Sequence, residues 1–241
     1  MRKLAIFVEG QTEQIFVARF VQHIAGANNV VIRKIRASGG SGRYAPRTIT
    51  EIEATSQTGA ESYYVLLCDS GCDNRVVSDV RDQYASLAKD YVGIIGVRDL
   101  TPKLRTDLCR VVTSMRSVLM TRPLQVQLVI AIMEIEAWFL GECTHFERID
   151  PAITLPAASA RLGFDPSYGN LENRPRPSQD LDEVYSLAGK SYTKDRSTVQ
   201  ITTNALDYNE LRTNVSLRLP SLRRLVSYLE HFFRGGDWLT A

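Results

Sequence analysis

Short apolar runs alternate with amphipathic stretches along the first half of the chain. Residues 4–8 are all apolar and end at the acidic turn Glu9-Gly10, which predicts a buried strand. Apolar residues then recur at helical spacing after Thr12, a residue type common at helix N-termini, until Gly26 interrupts the pattern. A strand, a glycine turn and a helix in this order are typical of the first unit of an α/β domain.

The alternation continues to residue 132. Strands are predicted over residues 30–35, 62–68, 91–97 and 125–132, and helices over residues 46–58, 74–89 and 102–120. Because the strands are apolar and helices separate them, the pattern predicts a mostly parallel α/β sheet that is flanked by helices on both faces. The segment Glu134-Ile135-Glu136-Ala137-Trp138 after the last strand indicates the first turn of another helix.

Beyond Gly141 the pattern contains helices but no strands. Helices are predicted over residues 157–162, 181–188 and 219–233, and the segment 165–180, rich in proline, glycine and polar residues, indicates a loop. The last helix carries an apolar stripe of Leu222, Leu225, Val226, Leu229 and Phe232. We predict an α/β domain over residues 1–145 and a helical C-terminal region over residues 146–241 packed on it. Trp138 and the pair Phe232-Phe233 are expected in the core.

Composition and charge narrow the function classes. The chain has 241 residues, of which 44% are hydrophobic and 23% charged, so it can bury a core. With 29 basic and 27 acidic residues the net charge is +2, so no global field attracts nucleic acid or a membrane. Since no apolar run is long enough for a signal peptide or a membrane span, we expect a cytoplasmic protein without a membrane partner.

Histidine and cysteine usage excludes most zinc chemistry. The three histidines, His23, His145 and His231, lie far apart and have no ligand spacing. The four cysteines form no CxxC pair, so we expect buried, reduced thiols. A metal would then have to be held by carboxylates, which favour Mg²⁺ or Mn²⁺.

Acidic residues follow three of the predicted strands. Glu9 follows the first strand, Asp69 and Asp73 follow the third, and Glu134 and Glu136 follow the fifth. Because the carboxyl ends of parallel strands meet at one edge of a sheet, we expect these five carboxylates to lie together, where a divalent cation would keep them ionised. Each one alone could equally cap a helix or offset its dipole, and only one of the last two is expected to face the site.

A basic, glycine-rich segment begins in the second predicted strand. It contains Arg33, Lys34, Arg36, Arg43 and Arg47, and no acid lies among them. Glycines let backbone N–H groups approach an anion, and arginine binds phosphate through two N–H groups. The segment predicts contacts to a nucleic-acid backbone or, equally, a solvated basic loop, since its glycine spacing matches neither common phosphate-binding motif.

A second, smaller basic cluster lies near the middle of the C-terminal region. Tyr192, Lys194 and Arg196 combine an aromatic ring with two cations. Lys194 is the residue expected to contact nucleic acid there, although such a cluster is also typical of an ordinary surface.

Four segments resemble the bacterial family catalogued as domain of unknown function 4276. They are Ile6-Phe7-Val8-Glu9-Gly10-Gln11-Thr12-Glu13 with Phe16, Glu134-Ile135-Glu136-Ala137-Trp138, Tyr192-Thr193-Lys194 and Pro220-Ser221-Leu222-Arg223-Arg224. They span nearly the whole chain in the family's order. That family is similar to the Toprim fold of topoisomerases, bacterial primases and nucleases of the overcoming-lysogenization-defect type. The resemblance therefore implies a Toprim-like sheet and phosphodiester chemistry.

The resemblance also implies which acids bind metal. Toprim proteins bind Mg²⁺ through a Glu after the first strand and an Asp-x-Asp after a later one, positions that Glu9 and Asp69 match. Gly71 stands where the second Asp is expected, and the next acid is Asp73. Either Asp73 or a Glu of the fifth strand replaces it, with Glu136 favoured over Glu134 on the family pattern, or the site is impaired.

Together these features predict a Mg²⁺- or Mn²⁺-dependent nuclease subunit acting on DNA or RNA. Glu9 is expected to act as a metal ligand or general base, Asp69 and Asp73 as ligands, and Glu136 or Glu134 as a further ligand. The resemblance further implies an ABC-type or SMC-like ATPase partner in a phage-defence locus, and formation of a homo-oligomer stays open. One alternative is a regulatory or scaffold subunit that binds an ATPase or nucleic acid without cleavage, and another is a small-molecule phosphohydrolase.

Overall fold

The computed structural model describes residues 1–40, 47–56, 58–72 and 74–236. Two predicted site residues, Arg43 and Asp73, lie outside the described residues. The chain divides into two compact units, which are described separately: the first contains residues 1–98, 109–130 and 227–241, and the second contains residues 99–108 and 131–226. The predicted domain boundary at residue 145 stays a prediction.

Six strands of the described chain form one sheet in the order β3-β2-β4-β1-β5-β6. They are β1 (Arg2–Val8), β2 (Val30–Gly39), β3 (Arg47–Ala54), β4 (Tyr63–Asp69), β5 (Gly93–Asp99) and β6 (Gln125–Ala131). β1 is parallel to both β4 and β5, β2 is parallel to β4, and β3 is antiparallel to β2. The predicted mostly parallel α/β sheet is confirmed.

Three helices connect these strands, α1 (Gln11–Ala25), α2 (Arg75–Leu87) and α3 (Leu108–Ser117). The side chains of residues 4–8 in β1 are fully buried, as expected for a central strand with helices on both faces. Alternation along β1 places Ala5 and Phe7 in one core with Val76 and Val80 of α2. On α1, Gln14 is buried and its amide donates to the carbonyl oxygens of Ile35 and Leu67 at 3.0 and 3.2 Å, which ties the helix to β2 and β4.

The segment after β2 differs from its prediction. The sequence predicts a helix over residues 46–58, and this prediction is wrong, because residues 47–54 form the edge strand β3. Half of the eight residues are β-branched: Thr48, Ile49, Thr50 and Ile52. Such side chains lose rotamer freedom in a helix and fit a pleated strand, and pairing with β2 satisfies one edge of the backbone.

The second unit is helical in the part of the chain that the structure describes. It contains α4 (Glu136–Gly141), α5 (His145–Ile149), α6 (Leu155–Leu162), α7 (Pro177–Ser186), α8 (Arg196–Ala205), α9 (Tyr208–Glu210), a π-helical turn (Leu211–Val215), α10 (Ser216–Arg218) and the first half of α11 (Pro220–Phe233). The sequence does not predict α8, which is rich in threonine, but Asp195 caps it by accepting from the backbone N–H groups of Ser197 and Thr198 at 2.7 and 3.1 Å.

Several predictions about burial can be compared with the structure. Trp138, Phe232 and the apolar stripe of α11 are buried as predicted. The expectation of buried thiols is confirmed for Cys68 and wrong for Cys72 and Cys109, which are exposed in the turn after β4 and on α3. None of the described helices combines the length and the hydrophobicity that a membrane span requires.

Candidate functional site

The register of β1 and β4 sets two of the predicted acids at one edge of the sheet. Val8 lies opposite Asp69 in this parallel pair, and the backbone N–H of Ser70 donates to the carbonyl oxygen of Val8 at 2.9 Å. Glu9 follows Val8 directly, so Glu9 and Asp69 lie at the carboxyl ends of neighbouring strands. Ligands collect at such ends in parallel sheets.

Asp69 is buried, and an ion pair and a backbone hydrogen bond offset part of the cost of burying its charge. Its side chain is 2% exposed, its Oδ1 accepts from the backbone N–H of Gly71 at 2.8 Å, and Nε of Arg36 lies 3.2 Å from its Oδ2. Burial raises the pKa of Asp69, although the Gly71 hydrogen bond and the positive charges of Arg36 and Arg47 oppose this. A carboxylate in this environment would be stabilised further by a cation.

The turn after Asp69 has Gly71 where a second Asp is expected, and its backbone there favours glycine. Gly71 has a φ of +81°, in the left-handed region where side chains other than glycine are strained. The hydroxyl oxygen of Ser70 is buried and has no hydrogen-bond partner within the described chain. An oxygen donor of this kind suits a hard cation, so Glu9, Asp69 and Ser70 provide the donor chemistry that Mg²⁺ or Mn²⁺ requires.

Glu13 stabilises the start of α1. Its Oε2 accepts from the backbone N–H of Gly10 at 3.0 Å, and its side chain is buried. An acid in the first turn also offsets the helix dipole. This capping role accounts for Glu13 without a metal.

The basic residues predicted to contact nucleic acid are ion-paired within the protein wherever the structure describes them. The acids do not come from the segment 33–47, which contains none, but from β3, β4, α2 and the start of α4. The pairs are Arg33–Glu51 at 2.6 Å, Lys34–Glu53 at 2.8 Å, Arg36–Asp69 at 3.2 Å, Arg47–Asp79, and Lys194 with Glu134 and Glu136.

Arg47 forms a clamp rather than an open anion-binding group. Nε lies 2.9 Å from Oδ1 of Asp79, and a second N–H group bonds the other carboxylate oxygen. Two of the three remaining N–H groups donate to the carbonyl oxygens of Gly39 and Ser70 at 3.0 and 2.9 Å. The guanidinium therefore holds β2, β3, α2 and the end of β4 together, and it has little capacity left for phosphate.

In the second unit, Lys194 lies between the two predicted glutamates. Its Nζ is 3.0 Å from Oε1 of Glu134 and 3.1 Å from Oε2 of Glu136. The ion pair with Lys194 is the contact that compensates for the burial of this Glu136 oxygen. The ammonium thus occupies the position that a metal ion would take between two carboxylates.

The other oxygens of this cluster are fixed by neutral donors. Tyr192 donates its hydroxyl to Oε1 of Glu136 at 2.9 Å, and the backbone N–H of Ser178 donates to Oε2 of Glu134 at 2.8 Å. Glu136 is fully buried. The two carboxylates are therefore held in fixed orientations, as a preorganised site requires.

The electrostatic environment shifts the pKa values of the two glutamates in opposite directions. Burial raises the pKa of Glu136 despite the charge of Lys194. Burial acts in the same direction on Glu134, but the hydrogen bond from Ser178 and the charge of Lys194 outweigh it and lower the pKa. For Lys194 burial favours the neutral amine, yet the charges of Glu136, Glu134 and Asp99 raise its pKa overall, so it stays protonated.

Both non-glycine residues with positive φ in the described chain flank this cluster. Met133 has a φ of 64° and directly precedes Glu134, and Lys194 itself has a φ of 57°. The strained turn at Met133 is held because the backbone N–H and hydroxyl of Thr101 both donate to the Met133 carbonyl oxygen, at 3.0 and 2.7 Å. Strain of this kind concentrates at functional sites and indicates that the position of these side chains matters.

Asp99 also belongs to this cluster, and the sequence interpretation omits it. It ends β5, it is 7% exposed, and its Oδ1 accepts from the backbone N–H of Ile135 at 2.9 Å. Asp99 follows the predicted strand 91–97 by two residues, which is a signal similar to the one that marks Glu9 and Asp69. Asp99 fixes the turn that carries both glutamates and adds negative charge around Lys194.

The described residues contain no group of three or more acids, cysteines or histidines placed to hold a metal ion. Glu9 with Asp69 in the first unit and Glu134 with Glu136 in the second are each a pair. A pair is compatible with Mg²⁺, which often takes one or two protein carboxylates and completes its shell with water and phosphate.

Comparisons with known proteins establish the family but not the activity. No curated protein matches the chain. A crystal structure of a protein from Lactobacillus plantarum WCFS1 described as a cell surface hydrolase covers 98% of this chain and 92% of its own, with 9% identity and a TM-score of 0.30, which is too low to support an argument. The sequence model described as domain of unknown function (DUF4276) matches residues 8–230, so the chain belongs to that family.

Proposed function

We propose that the chain is a divalent-metal-dependent nuclease subunit that hydrolyses phosphodiester bonds in DNA or RNA. The observation that carries the proposal is the β1–β4 register, which sets Glu9 and the buried Asp69 at the same edge of neighbouring parallel strands. These two carboxylates would hold Mg²⁺ or Mn²⁺, with Asp73 as a further ligand. Such an ion would neutralise the charge of the substrate phosphate, because the described basic residues predicted to contact nucleic acid are already paired with acids of the protein.

Arg36 is the basic residue best placed to serve a substrate near Asp69. Its side chain is 53% exposed, whereas Asp69, its partner at 3.2 Å, is buried. A cation bound at Asp69 would neutralise the carboxylate in place of Arg36. The Arg36 guanidinium would then be available to bind a phosphate through two N–H groups. Glu9 would accept the proton of the attacking water.

The cluster in the second unit supports phosphate chemistry independently. Glu134 and Glu136 are held in fixed orientations on strained backbone, and Lys194 is kept cationic beside them. A fixed cation beside two carboxylates can either stabilise the charge of a phosphate or yield its place to a metal ion. An ATPase partner of the ABC or SMC type and a role in phage defence are part of the proposal and rest on the resemblance of the motifs. The cytoplasmic location stays a prediction from the sequence pattern.

The proposal is tested by incubating the purified chain with supercoiled plasmid or single-stranded RNA in Mg²⁺ or Mn²⁺, alone and with its ATPase partner. Glu9→Gln and Asp69→Asn should each reduce cleavage by at least about 100-fold, because each removes a ligand charge. Glu147→Gln and Asp82→Asn, which change exposed acids on α5 and α2, serve as matched controls and should cleave normally. Unchanged cleavage in both test variants would contradict the assignment.

A second candidate function is a regulatory or scaffold subunit that binds an ATPase or nucleic acid without cutting. Two observations favour it: Gly71 replaces the second Asp on left-handed backbone, and Arg36 and Lys194 already neutralise the acids. Calorimetric titration with Mn²⁺ separates the two functions. Binding that is lost in Asp69→Asn supports the nuclease, whereas no binding at millimolar Mn²⁺ together with no cleavage supports the scaffold.

A further inference from the structure

One edge of the sheet is a strand that is exposed along almost its whole length. β3 is the first strand in the sheet order, its only strand partner among the described residues is β2, and seven of its eight residues are exposed. Alternate residues of such a strand direct their backbone N–H and C=O groups away from the sheet. Within the part of the chain that the structure describes, no strand pairs with this edge, so it can accept another strand.

Free charges usually protect an edge strand from pairing, but the charges here are neutralised from within the same unit. Both exposed acids of β3 pair with basic residues of β2, and the arginine at its start pairs with an acid of α2. The pairs are Glu51–Arg33 at 2.6 Å, Glu53–Lys34 at 2.8 Å and Arg47–Asp79. An incoming strand would thus meet β-branched side chains and backbone rather than uncompensated charge.

We propose that β3 of a second copy of this chain pairs with this edge in antiparallel orientation, with the twofold axis at Ile49. In this register Ile49 lies opposite Ile49 of the second copy, Thr48 lies opposite Thr50, and Arg47 lies opposite Glu51. Pairs of β-branched residues and of threonines are favourable cross-strand combinations of an antiparallel ladder, and Arg47 opposite Glu51 avoids like charges while each keeps its partner within its own copy. The sequence of β3 is therefore complementary to itself.

Other registers are less favourable for identifiable reasons. An axis at Glu51 would oppose two Glu51 side chains, and an axis at Ile52 would oppose Glu51 to Glu53. An axis at Thr50 would place Ile49 beside Glu51. The Ile49 side chain is 52% exposed. Among the registers with a twofold axis at a residue of β3, the one with its axis at Ile49 is the one that places an apolar side chain opposite Ile49.

The backbone of β3 is regular over residues 47–51, the stretch that the proposed register pairs. Residues 47–51 pair with β2 in unbroken register, and the irregularity opposite Lys34 and Ile35 lies beyond them. A twofold axis generates an isologous contact that closes after two copies, so the assembly would be a dimer with one sheet continuous through both copies.

Sedimentation velocity between about 1 and 100 μM tests this proposal on the full chain. The wild type should form a dimer, and Ile49→Lys should raise the dissociation constant at least about tenfold, because it places two ammonium groups opposite each other. Leu217→Lys, which changes an apolar residue that is 67% exposed in the second unit, should dimerise as the wild type does. Thermal unfolding confirms that both variants are folded.

Cross-linking tests the register itself. With the exposed Cys72 and Cys109 changed to Ser, Ile49→Cys should be joined to its counterpart by a short bismaleimide, whereas Glu53→Cys should not. A wild type that stays monomeric at 100 μM, a dimer that persists unchanged in Ile49→Lys, or equal cross-linking at both positions would each overturn the proposal. None of these outcomes depends on nuclease activity.

Discussion

The indole N–H of Trp138 donates a hydrogen bond to the hydroxyl oxygen of Ser221, with 2.9 Å between Nε1 and Oγ. The same hydroxyl donates to Oε1 of Glu172 at 2.5 Å, and the Ser221 backbone N–H donates to that oxygen at 2.8 Å. All three side chains are buried. Two of the family motifs, 134–138 and 220–224, are thus joined through one hydroxyl, which gives them a role in stabilising the second unit.

Replacing Ser221 by Ala should destabilise the protein. The change leaves the Trp138 N–H without its acceptor and removes one donor to Glu172, so we expect a loss of about 1–3 kcal/mol in the free energy of unfolding. Urea unfolding measures the difference. Ser186→Ala, which removes an exposed hydroxyl that donates to the carbonyl oxygen of Glu183, is the control and should cost less than about 0.5 kcal/mol. Equal losses in the two variants would contradict a special role for Ser221.

Glu172 should make the stability depend on pH. Burial raises the pKa of Glu172 although Ser221 donates two hydrogen bonds to it. The folded state then keeps a proton at pH values where the unfolded chain has lost it, so the contribution of Glu172 to stability falls as the pH rises above about 4.3. Glu172→Gln keeps the acceptor oxygen and removes the titration.

The measurement is the difference in unfolding free energy between wild type and Glu172→Gln, at about pH 5 and about pH 8. We expect the difference to favour the wild type more at the lower pH, since the ionised form is the one that burial penalises. The titration of the other acids cancels in this difference, because both proteins contain them. A difference that is constant, or that favours the wild type more at high pH, would show that the Glu172 carboxylate is well solvated or well paired.

The pattern of apolar residues in the sequence made most of the sheet predictable. The run of apolar residues at 4–8 predicts β1 because a strand buried on both faces needs no alternation, and the structure buries all five residues. β3 could not be recognised in the same way. Its residues are exposed on both faces, so only its β-branched content distinguishes it from a helix.

The candidate site was likewise predictable only in part. Glu9 and Asp69 are predictable at one sheet edge because each follows an apolar strand, and the register places Asp69 opposite Val8, the residue before Glu9. The partners of the basic residues are not predictable, because Glu51, Glu53 and Asp79 approach through strand pairing and helix packing that local patterns do not contain. For that reason the basic residues of segment 33–47 look uncompensated in the sequence, whereas the four that the structure describes are paired.

Arg47 should contribute strongly to stability. Arg47→Ala leaves the buried carboxylate of Asp79 without a partner and two carbonyl oxygens without a donor, so we expect a loss of about 3 kcal/mol. Arg33→Ala breaks a pair whose two side chains are about half exposed and should cost less than about 1 kcal/mol. Urea unfolding of both variants compares them directly.

A double-mutant cycle identifies the cause. Adding Asp79→Leu to Arg47→Ala removes the unpaired charge and should recover part of the lost stability. If the double variant is as unstable as the sum of the single variants, the clamp acts through packing rather than through the ion pair.

Lys194 should be replaceable by a metal ion. Lys194→Met removes the cation between Glu134 and Glu136 and should cost about 2 kcal/mol, less than a fully buried pair because the Lys194 side chain is 39% exposed. Millimolar Mn²⁺ should then raise the melting temperature more in this variant than in the wild type, since a ligand that binds only the folded state stabilises it. Lys190→Met, which breaks an exposed pair with Asp150, is the matched control. An equal effect of Mn²⁺ on both variants would exclude a metal at this pair.

The turn at Gly71 determines whether the second acid of the Asp-x-Asp pattern can be restored. A Cβ at this position would lie 3.6 Å from the carbonyl oxygen of Ala37, an ordinary contact, so Gly71→Asp and Gly71→Asn should both fold. The φ of +81° imposes strain of about 1 kcal/mol on either residue, and it directs the side chain differently from that of a residue in an extended conformation. We therefore expect Gly71→Asp to bind Mn²⁺ no more tightly than Gly71→Asn in a calorimetric titration. A gain of tenfold or more that is specific to Asp would show that the turn can present a second ligand, and that the glycine itself limits the metal affinity of the site.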